Sequence, residues 1–208
     1  MIEPIIHQIL LSDIPNSLIY KCLTSWTKMK KFGFKIKYWN HVEISNFISI
    51  NYPNALQAFI NARNLAEASD IARYLIVLHH SGIYVDWDIE LVDSSDYYRK
   101  ISNLDKGYLL QDPRNGTFAP ECFSAEKNEP FLSKLTDDII SVYNSRQLPL
   151  TPYYSGAYRM RESMNDYYCN QQILPVKDIF EFDYSEIREP FQRKVKKPLI
   201  HYWLHTWL

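Results

Sequence analysis

An α/β sandwich around a mainly parallel central sheet is the fold class this chain predicts. Three observations carry that reading. Strand-like apolar runs alternate with stretches of helical period along most of the sequence. The longest helical stretch, residues 65–80, leads within three residues into the strand-like Ile-Tyr-Val of residues 83–85. Apolar residues make up 46% and charged residues 23%, a globular balance that excludes a disordered or fibrous chain. No repeat, low-complexity tract or Gly/Ser linker divides the sequence, so residues 1–208 read as a single domain.

Taken in order, residues 4–11 (PIIHQILL) form an apolar run stopped by Ser-Asp and Pro15, the pattern of a buried first strand. Leu18, Ile19, Cys22, Leu23 and Trp26 recur at helical spacing and predict a helix over 16–29. Residues 34–39 alternate apolar with Lys, as a half-exposed second strand does. Shorter helical stretches follow near 42–50 and 55–62. Residues 65–80 are rich in Ala and Leu, and Gly82 suits the C-terminal cap of that helix. Residues 83–85 read as a strand running into Asp86-Trp87-Asp88, with 89–92 extended beyond it. Further strands are expected at 108–111 and 122–125, and helices at 131–143 and 158–168. Prolines at 149, 152, 175, 190 and 198 punctuate the last third, which ends in the aromatic HYWLHTWL.

The charge balance narrows the function classes. A net charge of −1 argues against a protein that binds nucleic acid by bulk electrostatics. The 16 Tyr and 5 Trp suit flat or hydroxylated ligands such as sugars and bases, but composition alone favours core filling. Cys22, Cys122 and Cys169 form no CxxC pair, so neither a disulfide scaffold nor a zinc ribbon is expected. The N-terminus lacks the basic and small-residue signals of a secretory leader, and no apolar stretch approaches the roughly 18–20 residues of a membrane span. A cytoplasmic protein is expected, one able to dock at the inner face of a membrane. Charge is also segregated. No acid lies between Ile14 and Val42, where Lys21, Lys28, Lys30, Lys31, Lys35 and Lys37 stand, and RKVKK (193–197) is a second basic run. Each run is either a solvated surface or part of a patch facing anionic lipid or a phosphorylated acceptor, which needs clustering in space.

GIYVDWDIE sets Asp86 and Asp88 two residues apart after an apolar strand, at the sheet edge where α/β ligands bind. Two converging carboxylates repel unless protonated or bridged by a cation, and such an oxygen-rich pair suits Mg²⁺ or Mn²⁺. Alone, the pattern fits an exposed turn better than a metal site. Asp70 and Arg73 share one face of the preceding helix, which is apolar nearly all round. An Asp and an Arg buried there are costly unless paired or functional.

NLAEASDIARYLIVLHHSGIYVDWDIE resembles the core of the DXD-containing sugar transferases of glycosyltransferase family 32, which build capsules, lipopolysaccharides and mannans. The glucosyltransferase domains of large clostridial toxins are distant relatives. Ala66, Ser69, Asp70, Arg73, Tyr74, Leu78, Gly82, Tyr84, Asp86 and Asp88 fit the family pattern A-x-x-S-D-x-x-R-Y-x-x-L-x-x-x-G-G-x-Y-x-D-x-D, with Ser81 replacing its first Gly. PIIHQILL resembles the family's opening strand, with Leu10 where a Trp is common. SWTKMKKFGFKIKYWN, SAEKNEPFLSKL and HYWLHTW resemble later segments in order, Tyr202, His205 and Thr206 departing from the tail pattern.

The resemblance implies a GT-A-type, Rossmann-like sandwich and a metal-dependent enzyme that retains anomeric configuration. The donor would be a nucleotide-diphosphate sugar, a UDP-sugar before GDP-mannose, and the acceptor a saccharide or lipid-linked chain in surface polysaccharide synthesis. The Ile-, Lys-, Asn- and Tyr-rich composition is like that of AT-rich bacterial genomes. By the resemblance Asp88 ligates Mn²⁺ or Mg²⁺, Asp86 contacts metal and ribose, Asp70 and Arg73 hold sugar hydroxyls, and Tyr84 sits beside the donor. His201 is the expected further metal ligand, with His205 second, and Trp207 would donate its indole N–H to the β-phosphate. His7 and Gln8 are expected to line the nucleotide pocket. Glu121 is held open as an acceptor-side or stabilising carboxylate against a surface loop acid. A nucleotide-sugar hydrolase and a non-catalytic carbohydrate-binding relative are the alternatives.

Overall fold

The computed structural model describes residues 1–13, 16–165, 169–183, 186–188 and 194–204. Strand β1 (Ile5–Leu10) leads to helix α1 (Ser17–Ser25), whose N-terminus is capped by the Asn16 side chain accepting from the Ile19 N–H. The helix expected over 16–29 tightens to a 3-10 turn at Trp26–Phe32, which Gly33 ends at a φ of 87°. Strand β2 (Lys35–Asn40), helix α2 (His41–Asn51) and the short α3 (Leu56–Ile60) follow. Helix α4 (Leu65–His80) is capped by Asn64 and runs into β3 (Gly82–Val85) and β4 (Ile89–Leu91). Beyond lie α5 (Ser94–Ile101), β5 (Gly107–Gln111), β6 (Cys122–Ala125) and α6 (Pro130–Asn144). The chain continues through α7 (Thr151–Tyr154), α8 (Ala157–Met164), β7 (Gln172–Pro175), α9 (Val176–Ile179) and β8 (Leu199–His201). The helix expected over 158–168 is α8 as far as residue 164, and residues 166–168 of it lie outside the described residues.

Six strands form one sheet in the order β2-β1-β3-β6-β5-β7. All are parallel except β6, which runs against both β3 and β5. The carboxyl ends of β1, β3, β5 and β7 therefore share one edge with the start of β6. Helices α2, α3, α4 and α6 cover one face around Ile9, Trp39, Phe59, Tyr74, Leu75 and Phe131. On the other face Ile6, Trp26, Met29, Ile83, Val85 and Tyr97 pack under α1, α5 and a separate two-stranded ribbon of β4 and β8. Alternation along β1 sends Ile6 to one core and Ile9 to the other, as period-2 geometry requires. The α/β sandwich expected from the sequence is thus observed.

The junction between α4 and β3 differs in detail from the expected glycine cap. Ser81, not Gly82, ends the helix, at φ 61° and ψ −177°. Its Oγ donates to the Ala125 carbonyl and accepts from the Glu3 N–H. Gly82 opens the strand at φ 108°, and a Cβ there would lie 2.6 Å from the Ile5 carbonyl oxygen, so close strand approach requires glycine. Helix α5 is capped by Asp93, whose side chain accepts from the N–H groups of Ser95 and Asp96.

Candidate active site

Strand β3 is buried at all four positions and delivers the chain to Asp86 at the sheet's carboxyl edge. There the Asp86 N–H donates to the Glu121 carbonyl (2.9 Å), and the Ile89 N–H donates back to the Asp86 carbonyl (3.3 Å). That turn sets Asp86 and Asp88 toward one point. Strand β8, paired antiparallel with β4, brings His201 opposite Ile89. The imidazole Nε2 lies 3.3 Å from Asp88 Oδ1, and Nδ1 lies 3.6 Å from Glu121 Oε1. The ligand atoms of Asp86, Asp88 and His201 fall within 4.8 Å of one another.

A second cluster adjoins the first from α4. One Arg73 Nη lies 3.3 Å from Asp86 Oδ1 and 3.4 Å from Asp70 Oδ1, while Nε donates to the Ser69 carbonyl. The guanidinium sits over the Tyr84 ring at 4.7 Å, and the Tyr84 hydroxyl donates to Asp86 Oδ1. The Ser155 hydroxyl donates to Asp70 Oδ2 at 2.8 Å. Asp70 and Arg73 are both almost fully buried, so each compensates the other's desolvation.

Burial and neighbouring charge set the protonation states. Burial pushes Asp70 up to about 6, against the pull of Arg73 and the Ser155 hydroxyl. Asp86 also rises to about 6, by burial opposed by Arg73 and reinforced by Asp88. Burial opposes charge on His201 too, yet Asp88 and Glu121 outweigh it and raise the imidazole to about 10. Asp88, despite burial, is held below the usual range by His201 and by the Leu204 N–H on its Oδ2. An imidazolium thus lies between two carboxylates where a cation would sit. Two carboxylates and an imidazole suit a divalent cation such as Mn²⁺ or Mg²⁺. The described hydrogen bond and ion pair of Asp86 both fall on Oδ1, which leaves Oδ2 for such an ion. The donor set fits.

These groups open into a cavity of about 390 Å³ spanning the carboxyl ends of β1, β3, β5 and β7. Asp70, Arg73, Tyr84, Asp86, Asp88, Glu121 and His201 all line it. His7 and Gln8 do not, which corrects the expectation for them. The His7 ring is occupied beneath the wall, Nε2 on the Ser81 carbonyl and Nδ1 accepting from the Trp39 indole. Gln8 faces the opposite core, fully buried, and the lining there comes from Ile9, Leu11 and Ser12. Glu121 is buried and faces His201, which corrects the reading of a surface loop acid. His205 and Trp207 lie outside the described residues. Ser155 and Trp203 were not singled out in the sequence. Trp203 stacks on His201 at 3.8 Å between ring centroids, and only the aromatic tail hinted at it. Ser155 reaches Asp70 across 85 residues, a contact that no local pattern encodes.

The mixed α/β architecture around a mostly parallel six-stranded sheet matches a GT-A-like glycosyltransferase fold. Residues 11–107 match the model of a family described as a glycosyltransferase sugar-binding region containing a DXD motif. That span holds Asp70, Arg73, Asp86 and Asp88, whereas Glu121 and His201 lie outside it. The chain is similar to an uncharacterized glycosyltransferase, L373, of Acanthamoeba polyphaga mimivirus, with 37% identity over 93 residues. This match takes in 43% of the chain and 36% of the viral protein, so the chain spans about a third of that relative's length. Among solved structures, the PaToxG glycosyltransferase superposes with a TM-score of 0.58 at 18% identity, over 78% of this chain and 69% of that one. The superposition establishes likeness of fold, and the family match supports glycosyltransferase chemistry.

Proposed function

We propose that the protein is a metal-dependent, retaining glycosyltransferase of family 32. It would move a hexose from a nucleotide-diphosphate sugar, with a UDP-sugar favoured and GDP-mannose the alternative, to a saccharide or lipid-linked acceptor in bacterial surface polysaccharide synthesis. The observation that carries this reading is the convergence of Asp86, Asp88 and His201 beside the Asp70–Arg73 pair in one cavity.

Asp86, Asp88 and His201 would hold Mn²⁺ or Mg²⁺, and the bound ion supplies neutralisation of the charge that develops on a departing diphosphate. Arg73 brings a fixed positive charge to the sugar side of the cavity, and the Ser69 carbonyl and Tyr84 ring restrict its rotation. Asp70, tied by Ser155 and Arg73, presents its carboxylate as an acceptor for sugar hydroxyls. That same tying makes it a poor covalent nucleophile, which favours attack from the face the leaving group departs, the acceptor proton passing to the leaving phosphate oxygen. Trp203 and Leu204 lie against the cavity and exclude water from the reacting centre. Trp207 remains assigned to the β-phosphate and His205 to the reserve ligand position by resemblance alone.

A panel of nucleotide sugars tests this. With Mn²⁺ present, one donor is expected to raise the melting temperature, because a ligand that binds only the folded state stabilises it by mass action. The same donor should support transfer to a saccharide acceptor. Metal-independent binding would overturn the site assignment. Sugar release to water at the same rate with and without every acceptor would instead establish the hydrolase.

A further inference from the structure

We propose that a lysine-rich surface around the outer end of the β4–β8 ribbon docks the protein on an anionic phospholipid bilayer. The inference is independent of the transfer reading, because docking needs neither donor nor turnover. Its basis is that the fold unites the two basic runs. The Lys28 ammonium reaches the Leu91 carbonyl at 3.0 Å and Lys31 reaches the Ser95 hydroxyl at 3.3 Å, fixing the first run along one side of β4. On the other side, the N–H groups of Val92 and Asp93 donate to the Pro198 carbonyl, which places Lys196 and Lys197 across the ribbon. Helix α5 adds Arg99 and Lys100 beside them, because Phe32 stacks on Tyr98 at 4.1 Å between ring centroids. Arg193 of the second run lies outside the described residues.

The acids facing this surface are Glu90, Asp93, Asp96, Asp178 and Glu181, and most are already engaged. Asp93 caps α5, and Glu90 pairs with Lys21. Glu181 is buried and accepts from the N–H groups of Lys196 and Lys197. Asp96 alone faces both Arg99 and Lys100, and Asp178 lies 3.8 Å from Lys197. Among the described residues no carboxylate forms an ion pair with Lys28, Lys30, Lys31, Lys35, Lys194 or Lys196, all of them exposed.

Two features favour a bilayer over nucleic acid. The cations without a carboxylate partner among the described residues are lysines, point charges suited to a diffuse headgroup layer, rather than the arginines that grip phosphates bidentately. In their midst Val92 is 38% exposed, an apolar residue able to enter the headgroup region. Charge segregation also orients the molecule, since the net charge is only −1 while this surface is basic. Lys197 stands at the bend that leads into β8, whose last residue, His201, lines the cavity.

Co-sedimentation with two kinds of vesicle tests the proposal, one mixing phosphatidylglycerol with phosphatidylcholine, the other pure phosphatidylcholine. Binding is expected to the anionic vesicles only and to fall as salt is raised. Lys28→Gln with Lys31→Gln should weaken it about 25-fold, at about fivefold per lysine. Lys196→Gln with Lys197→Gln should act similarly, while Lys134→Gln on α6, across the sheet, leaves binding unchanged. Melting temperatures of all variants check folding. Equal binding to both vesicles, wild-type binding by both double variants, or capture by duplex DNA with the anionic vesicles ignored would overturn the proposal.

Discussion

Two limbs of the chain meet at Asp88, and they are held by different physics. The first runs from α4 through β3 to the Asp86–Asp88 turn and is fixed by burial. Eleven of the sixteen residues of α4 are buried, and β3 is buried throughout. The second runs from β8, itself buried, to Leu204, and beyond the strand it is held by directional bonds. Apart from its short ladder with β4, the Tyr202 N–H donates to the Asp88 carbonyl, the Leu204 N–H to Asp88 Oδ2, and the Tyr202 hydroxyl to Glu90. A limb held by the core keeps its shape whatever binds. A limb that leans on the Asp88 and Glu90 carboxylates is sensitive to their charge, so catalysis and local order should be separable by mutation.

The largest expected effect breaks the comparison at its shared point. Asp88→Asn keeps an acceptor for Leu204 but removes the charge that holds both His201 and a cation. Transfer should fall on the order of 10²–10³-fold, the range seen when one charge-stabilising group is removed from a site. The melting temperature should change by only a few degrees, since the core of the first limb is untouched. Turnover at saturating Mn²⁺ alongside thermal unfolding checks this, and near-normal turnover would remove Asp88 from the metal site.

Next in size is a change confined to the second limb. Trp203→Ala removes the ring that stacks on His201 while leaving the β4–β8 ladder intact. Activity is expected to drop about tenfold, as for partners that orient a metal ligand, with stability little altered. Isothermal titration of Mn²⁺ with nucleoside diphosphate locates the loss. Unfolding at a clearly lower temperature would show instead that the tail is a structural strap.

The same contrast explains what the sequence made legible. Helix α4, β3 and the DXD were readable because periodicity, burial and the motif coincide in one continuous stretch, residues 65–91. Strand β8 is three residues long and β7 is a partly exposed edge, so neither shows a pattern above the turns around it. The reversal of β6 is a matter of pairing, which no residue type announces. The sequence leaves Glu121 open between a site carboxylate and a surface loop acid, because its neighbour His201 arrives on β8 eighty residues later. His7 and Gln8 misled for the opposite reason. Both stand near the end of a strand that reaches the pocket, but strand alternation and the Ser81 and Trp39 contacts turn them away from it.

His7 offers a smaller effect, on the first limb's stability rather than on catalysis. Burial lowers it to about 4 from its usual 6.5, so the folded protein holds it neutral at pH 5 while the unfolded chain binds a proton. Stability from this residue is therefore complete above pH 6.5 and is lost as pH falls toward 4, up to about 3 kcal/mol. Urea unfolding at pH 7 and pH 5 should show wild type losing more than His7→Gln. Parallel loss in the two proteins would mean that His7 does not drive the acid response.

The smallest effect concerns Ser81, the hinge between α4 and β3. Its φ of 61° with ψ of −177° lies in a region essentially reserved for glycine, a strain of about 1–3 kcal/mol. Two hydrogen bonds through Oγ, to the Ala125 carbonyl and from the Glu3 N–H, offset it at about 1 kcal/mol each. Replacing Ser81 by Gly, the residue in the family pattern, removes strain and bonds together. The two terms nearly cancel, so Ser81→Gly should shift stability by less than about 1 kcal/mol in either direction. Ser81→Ala keeps the strain and loses the bonds, and so should be about 2 kcal/mol less stable than wild type. Denaturant titration of both variants measures the difference directly. If alanine is tolerated as well as glycine, the Oγ bonds contribute nothing, and the junction is held by the Val77 carbonyl that caps the helix and the His7 ring on the Ser81 carbonyl.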